Sequence, residues 1–225
     1  MVNPVLVFDM DGVLVDVSQS YRETIRATVR HFTGSQIGFE EIQDYKNQGG
    51  WNDDWALSHH IITQAGVPAA YQEVVDYFQR IFHGNGTDGL ILRERWIARE
   101  GLLERLAARY RFAVFTGRLR WEAELTLARF APALKFEPIV GAGDVERLKP
   151  APDGLLRIRE LAGAGAIWYA GDTVDDARSA RAAGVPFIGI AAPSNPRYHE
   201  LKPLLAAENA VAVLDDINAL EEVLP

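Results

Sequence analysis

The most constraining feature of the sequence is an apolar run near its start that ends in two aspartates. Residues 5–16 read VLVFDMDGVLVD. A short run of this kind, bounded by polar residues, predicts a buried strand, and Gly12 lets the backbone turn sharply after it. Asp9 and Asp11 thus emerge together, and like charges this close resist joint ionisation unless a cation or a shared proton lies between them. We therefore expect a bound metal here and covalent chemistry at one of the two carboxylates.

The rest of the chain divides into a helical segment and an alternating one. Helical periodicity and Gly or Pro breaks predict four helices before residue 85, the first opened by a capping box of Ser20 and Glu23. From residue 112 onward, apolar strands alternate with helices, which is typical of a parallel sheet with helices on both faces.

This pattern predicts a fold class and a domain division. We expect an α/β, Rossmann-like core made of residues 1–15 and 97–225, with an α-helical cap domain inserted at residues 16–96. Because both connections of the insert leave the end of the first strand, the cap should lie over that end.

Composition narrows the classes of partner. The 225 residues carry a formal net charge of −8, whereas a nucleic-acid surface needs a basic stripe. No apolar run reaches the roughly 20 residues of a membrane span, and the first residues lack the basic segment of a signal peptide. The sequence has no cysteine, which excludes thiolate catalysis and Cys-bound zinc. We expect a cytoplasmic protein, monomeric or homodimeric, that binds neither nucleic acid nor membrane.

Polar residues follow several of the predicted strands, at the edge where an α/β sheet binds its ligands. The candidates are Asp9 and Asp11, Thr116-Gly117-Arg118, Lys149 before a helix, and Asp172 with Asp175 and Asp176. Clustered carboxylates suit Mg²⁺, a hydroxyl and backbone N–H groups can bind phosphate oxygens, and a lysine balances charge. An aspartate can attack phosphorus, and a second one can exchange the proton of the leaving oxygen.

These four motifs, in this order and at these strand ends, resemble those of the haloacid dehalogenase superfamily. The resemblance is to its phosphatase branch with an inserted helical cap, subfamily IA, which includes phosphoglycolate phosphatases. It implies a Mg²⁺-dependent phosphohydrolase that acts on a small phosphorylated metabolite through an aspartyl-phosphate. The second aspartate favours phosphoryl transfer over dehalogenation.

The same resemblance implies a role for each motif residue. Asp9 would be the nucleophile and Asp11 the general acid/base. Phosphate would be held by Thr116, Gly117 and Lys149. The Mg²⁺ ligands would be Asp9, the carbonyl of Asp11, and Asp172, with Asp176 just outside them.

Substrate selection is a separate expectation. Arg118 could bind a second anionic group of the substrate, or simply be solvated at the start of a helix. In the insert, Lys46, Asn47, Trp51 and Asn52 lie in an unusual polar and aromatic stretch, KNQGGWNDDW. We expect them to help select the substrate, since lid loops often contact it; the alternative is a helix cap by Asn52 with Trp51 and Trp55 in the core of the insert.

Three other functions remain open at this point. A phosphomutase of the same superfamily would return the phosphoryl group to the sugar rather than to water. A receiver domain gathers similar residues, but it is about half as long and has no cap. A non-catalytic relative would bind a partner without turnover.

Overall fold

The strands of the α/β core form one six-stranded sheet in which every pairing is parallel. The computed structural model describes residues 3–163 and 165–225. Within this part the chain separates into two compact units. One comprises the described residues up to Val15 together with Trp96–Pro225, and the other is Asp16–Arg95.

The sheet order is β5-β4-β1-β6-β7-β8. Its strands are β1 Val5–Phe8, β4 Arg111–Leu119, β5 Phe136–Ala142, β6 Ile167–Gly171, β7 Phe187–Ile190 and β8 Ala212–Leu214. The short strands β2 Val15–Asp16 and β3 Arg95–Trp96 pair separately.

The central strand β1 is fully buried along its length, which explains its uninterrupted apolar sequence. Val5 pairs with Arg111 of β4 on one side and with Ile167 of β6 on the other. The register continues to the end of the strand, where the Asp9 amide donates to the Ala170 carbonyl at 2.8 Å. The carboxyl ends of β1, β4 and β6 therefore lie side by side.

The helices of this unit follow the strands, as the alternating pattern predicts. They are α5 Leu102–Ala107, α6 Arg120–Phe130, α7 Asp153–Ala162, α8 Val174–Ala183 and α9 Tyr198–Ala207, with a final 3₁₀ helix at Ile217–Glu222. Leu155, Ile158, Ala177 and Ala180 of α7 and α8 join the strand residues in a buried cluster. The α/β fold class is confirmed.

The second unit is helical. It contains α1 Tyr21–Thr33, α2 Phe39–Gln48, α3 Asp54–Gln64, α4 Tyr71–His83 and a 3₁₀ turn at Leu90–Arg93. Its apolar centre includes Ile25, Leu57 and Phe78, which have no exposed area. The predicted helical insertion is thus present.

Three local predictions differ from the structure. The capping box was wrong, because Glu23 pairs with Arg26 and the Ser20 hydroxyl makes no cap bond. Helix α3 is capped by Asp53, which accepts from two amides, and not by Asn52. The apolar run predicts a strand over residues 112–115, whereas strand β4 continues to Leu119. None of the helices in the described part of the chain combines the length and apolar character that a membrane crossing requires.

Candidate active site

The site is centred on Asp9, the first residue after β1. Only 4 % of Asp9 is exposed. The buried Lys149 ammonium lies 2.9 Å from Asp9 Oδ1 and 2.7 Å from Asp176 Oδ1. It also lies 4.8 Å from the centre of the Phe115 ring, whose face attracts cations. A single ammonium therefore faces two buried carboxylates.

Asp172 completes a cluster of three carboxylates. One carboxylate oxygen each from Asp9, Asp172 and Asp176 lies within 4.8 Å of the others. Gly12 makes this approach possible, because a Cβ at that position would lie 2.1 Å from Asp172 Oδ2. Gly12 also has φ +76°, a conformation that favours glycine. The turn after β1 is thus packed directly against Asp172, the residue that follows β6.

Asp176 is fixed on both of its oxygens. Oδ1 accepts from the Tyr169 hydroxyl at 2.5 Å, in addition to facing Lys149. Oδ2 accepts from the amide of Thr173 at 3.0 Å and from its hydroxyl at 2.6 Å. Thr173 in turn caps α8 by accepting from the Asp176 amide. Because protein donors occupy both oxygens, Asp176 is placed to support the cluster rather than to bind a cation directly.

Burial and charge set the protonation of this cluster. Burial raises the pKa of Asp9 to about 7; the charge of the Lys149 ammonium acts to lower it, and the nearby carboxylates of Asp176 and Asp11 act to raise it. Burial acts on Asp176 in the same direction, but the charge of Lys149 and several donors hold the pKa of Asp176 below its usual range. Burial would lower the pKa of Lys149, yet the two carboxylates raise it above its usual value. Lys149 and Asp176 are therefore a charged pair, and Asp9 lacks a full counter-charge.

Asp11 has different surroundings. Its side chain is 29 % exposed, whereas the Arg118 side chain beside it has no exposed area. Arg118 donates from Nε at 2.9 Å and from Nη2 at 2.5 Å, both to Asp11 Oδ1. Its Nη1 donates to the hydroxyl of Thr126 on α6 at 3.0 Å. Arg118 thus links the second aspartate to a buried helix residue.

The Thr-Gly-Arg motif lies in β4, the strand next to β1. Thr116 is 1 % exposed, and its hydroxyl accepts from the Arg118 amide at 3.2 Å. Gly117 separates these two residues within the strand. The backbone and hydroxyl of this segment thus lie at the carboxyl edge of the sheet.

Arg118 differs from the interpretation in which it is solvated at a helix start. It is neither solvated nor at a helix start, because β4 continues through Leu119 and buries it. Its guanidinium donates to Asp11 and Thr126, and binding of a second anionic group of a substrate stays a prediction. The sequence offered no signal for this pairing beyond an arginine directly after a strand-end Thr-Gly.

Tyr169 is a residue that the sequence analysis missed. It lies in the apolar strand β6, and its hydroxyl is one of the donors to Asp176. Burial raises the pKa of the Tyr169 hydroxyl, and the Asp176 carboxylate raises it further. The sequence signal for this role was a tyrosine three residues before Asp172, the aspartate that follows the strand.

The four residues proposed for substrate selection lie at the end of α2 and in the segment before α3. Lys46 forms an ion pair with Asp54. Asn47 Oδ1 accepts from Gln43 at 2.9 Å, and the Trp51 ring lies 4.4 Å from the His60 ring. The side-chain nitrogens of Asn47 and Asn52 are buried and have no hydrogen-bond partner among the described residues.

The core cluster fits a hard divalent cation. The available donors are carboxylate oxygens, which Mg²⁺ prefers. Asp9, Asp172 and Asp176 bring three carboxylates to a single ammonium, so Lys149 alone does not neutralise the cluster. Asp9 and Asp172 approach each other closely, and the Asp176 oxygens are already bound by protein donors. The arrangement can thus hold a cation beside the buried Asp9 carboxylate.

Comparisons with known proteins agree with this geometry. A haloacid dehalogenase-like hydrolase of Bacteroides fragilis has the same fold, with a TM-score of 0.77 and 20 % identity over 97 % of this chain and 100 % of that one. A phosphoglycolate phosphatase of Rhodobacter capsulatus is 23 % identical over 193 residues, which cover 82 % of this chain and 83 % of that protein.

A protein of Phytophthora nicotianae named imidazoleglycerol-phosphate dehydratase is 35 % identical over 204 residues. The match covers 86 % of this chain but 45 % of that protein, so the chain spans less than half the length of this relative. The sequence model of the haloacid dehalogenase-like hydrolases matches residues 6–190, which include every motif residue described above. With the parallel core, the helical insertion and this match in agreement, the chain belongs to the haloacid dehalogenase-like hydrolase family.

Proposed function

We propose that the protein is a Mg²⁺-dependent phosphatase of small phosphate monoesters that works through an aspartyl-phosphate on Asp9. The observation that carries this proposal is the buried Asp9 carboxylate, held by Lys149 in a cluster with Asp172 and Asp176. A nucleophile needs a fixed oxygen and a counter-charge, and this cluster supplies the first and part of the second.

Asp9 and Asp172 would hold the Mg²⁺, together with the carbonyl oxygen of Asp11, and Asp176 would orient the lysine. When bound, Mg²⁺ supplies positive charge that neutralises the phosphoryl oxygens in the transition state. Thr116, the backbone at Gly117 and Lys149 would bind those oxygens. Asp9 and Asp11 would carry out the bond-making and proton-transfer steps.

In the first step an oxygen of Asp9 attacks phosphorus and the bond to the ester oxygen breaks. Asp11 gives its proton to that oxygen, so the product leaves as a neutral alcohol. In the second step water attacks the phosphorus of the aspartyl-phosphate and transfers a proton to Asp11. Inorganic phosphate leaves, and the Asp9 carboxylate is restored.

The names of the relatives indicate a broad class of substrate. Their names refer to phosphate esters of small polar molecules, phosphoglycolate and imidazoleglycerol phosphate. We propose that Lys46, Asn47, Trp51 and Asn52 select among such esters. The buried amide nitrogens of Asn47 and Asn52 support this, because an unpaired buried donor is costly and a substrate oxygen would satisfy it.

A screen of phosphorylated metabolites, scored by release of inorganic phosphate with Mg²⁺ present, tests the proposal. The panel should include 2-phosphoglycolate, imidazoleglycerol phosphate and sugar phosphates. We expect turnover that EDTA abolishes, and that Asp9→Asn lowers by about 10⁴-fold or more, as loss of a nucleophile does elsewhere. Arg120→Gln, which alters an exposed arginine of α6, is the control.

Two results would contradict the proposal in different ways. Formation of an isomeric sugar phosphate without free phosphate would identify a phosphomutase. Absence of turnover on every ester, with Mg²⁺ bound, would favour a non-catalytic binding protein.

A further inference from the structure

We propose that Arg118 is a positioning residue that acts on the reaction through Asp11. This inference depends on the proposed function, since it takes Asp11 as the group that exchanges a proton with the leaving oxygen. Arg118 holds that carboxylate in one orientation and does not touch the substrate.

The first argument is the burial of Arg118. Its side chain has no exposed area, and it is the largest of the fully buried side chains in the described part of the chain. A guanidinium in such a place is costly unless acceptors surround it. An apolar side chain would fill a core position at a lower cost in free energy than a guanidinium. A buried arginine therefore indicates a role that requires its charge and its hydrogen-bond donors.

The second argument is the geometry of the contact. Both bonds from Arg118 fall on the same oxygen of Asp11, Oδ1. Two donors on one oxygen restrict rotation of the carboxylate, whose side chain is 29 % exposed, and neither of them uses Oδ2. One oxygen is therefore fixed by protein, and the other is available for proton exchange with the ester oxygen and then with water.

The third argument is that Arg118 is itself anchored. Nη1 donates to the Thr126 hydroxyl, and Thr126 is 2 % exposed on α6. The Arg118 amide donates to Thr116, which ties the strand segment that carries it. Asp11 is thus connected to a helix and a neighbouring strand rather than to a mobile surface group. A general acid displaced by about 1 Å can lose about 100-fold in rate.

Two aryl esters of nearly equal size distinguish this role from a merely structural one. The leaving group of p-nitrophenyl phosphate is a weak base and needs little protonation, whereas that of phenyl phosphate is a much stronger base. For Arg118→Gln we expect kcat/KM on phenyl phosphate to fall by about 100-fold. On p-nitrophenyl phosphate it should fall by less than about fivefold, and KM for both esters should change by less than about threefold.

A double-mutant cycle tests whether the effect passes through Asp11. In the Asp11→Asn background, Arg118→Gln should change kcat/KM by less than about twofold, because the group that it positions is already lost. Arg118→Lys keeps the charge but not the paired donors, so it should recover about tenfold of the loss. Arg120→Gln alters an exposed arginine two residues away that pairs with Asp144, and it serves as the matched control.

Thr126→Val provides a second route if Arg118→Gln does not fold. It removes the anchor of Nη1 but keeps both charges, and we expect about a fivefold loss on phenyl phosphate with no loss on p-nitrophenyl phosphate. Equal losses on the two esters, or an undiminished Arg118 effect in the Asp11→Asn background, would overturn the inference. Wild-type activity that survives Asp9→Asn would instead overturn the proposed function, so the two failures are separable.

Discussion

Asp9 and Asp11 are the same residue type, two positions apart, yet their surroundings differ in depth and in charge. Asp9 is buried with two other carboxylates, and the ammonium that it faces is shared with Asp176. Asp11 is partly exposed and faces a guanidinium that a helix residue anchors. The Asp9 neighbourhood thus has an excess of negative charge, which a divalent cation would relieve. In the Asp11 neighbourhood, Arg118 instead fixes the orientation of one carboxylate.

The largest expected effect concerns the shared ammonium of the Asp9 neighbourhood. Lys149→Met leaves Asp9 and Asp176 buried without their cation, and removing one partner of a buried ion pair costs about 3–5 kcal/mol. Urea denaturation at pH 7 with EDTA measures this change in the free energy of unfolding. Lys135→Met, which alters a lysine that is 78 % exposed, should change it by less than about 0.5 kcal/mol. Similar losses in the two variants would mean that the cluster is not charged as described.

The next effect is a pH dependence that belongs to Asp9. Its pKa is about 7 in the folded protein against 3.8 as the ordinary value, so the folded state holds this proton more tightly. Its contribution to stability is fully present below about pH 4 and is lost as the pH rises to about 7. Without metal, Asp9→Asn should therefore gain stability relative to wild type over this interval, on the order of 4 kcal/mol.

Denaturation curves at several pH values, with EDTA throughout, measure that difference. A variant whose stability stays parallel to that of wild type from pH 4 to pH 8 would show that Asp9 already has its full counter-charge. The contrast with Asp11 would then lose its electrostatic basis.

A smaller effect comes from the close approach of Gly12 to Asp172. Gly12→Ala places a Cβ in contact with Asp172 and adds strain at a positive φ. We expect a loss of about 2 kcal/mol in stability and of about 100-fold in kcat, since the cluster must shift. Gly143 has a φ of +90°, but a Cβ at that position would meet no atom within 4 Å. Gly143→Ala therefore measures the effect of backbone strain without a contact like that with Asp172. If both variants lose the same activity, Asp172 is not held by this turn.

The smallest effect concerns the Tyr169 hydroxyl, one of the donors to Asp176. Tyr169→Phe removes one hydrogen bond from a carboxylate that keeps Lys149 and Thr173 as partners. We expect a loss of about 1–2 kcal/mol in thermal or chemical denaturation, with the overall fold retained by circular dichroism. No measurable loss would indicate that Lys149 and Thr173 fix the position of Asp176 without the Tyr169 hydroxyl.

The carboxyl ends of the strands could be read from the sequence because each is a local pattern. An apolar run followed by a polar residue predicts both the strand and the edge on which Asp9 and Asp172 meet. The pairing of Arg118 with Asp11 could not be read in this way, because it depends on how far β4 continues and on which side of the strand residue 118 faces. The capping box at Ser20 failed for a different and local reason, since Glu23 pairs with Arg26 instead.

The central position of β1 has a consequence for biosynthesis. This strand leaves the ribosome before both of its neighbours in the sheet, β4 and β6. Until Ile167–Gly171 has emerged, the apolar segment Val5–Phe8 has an unpaired edge. An unpaired apolar edge can pair with the wrong strand or with another chain, so synthesis of the core carries this risk until β6 is complete.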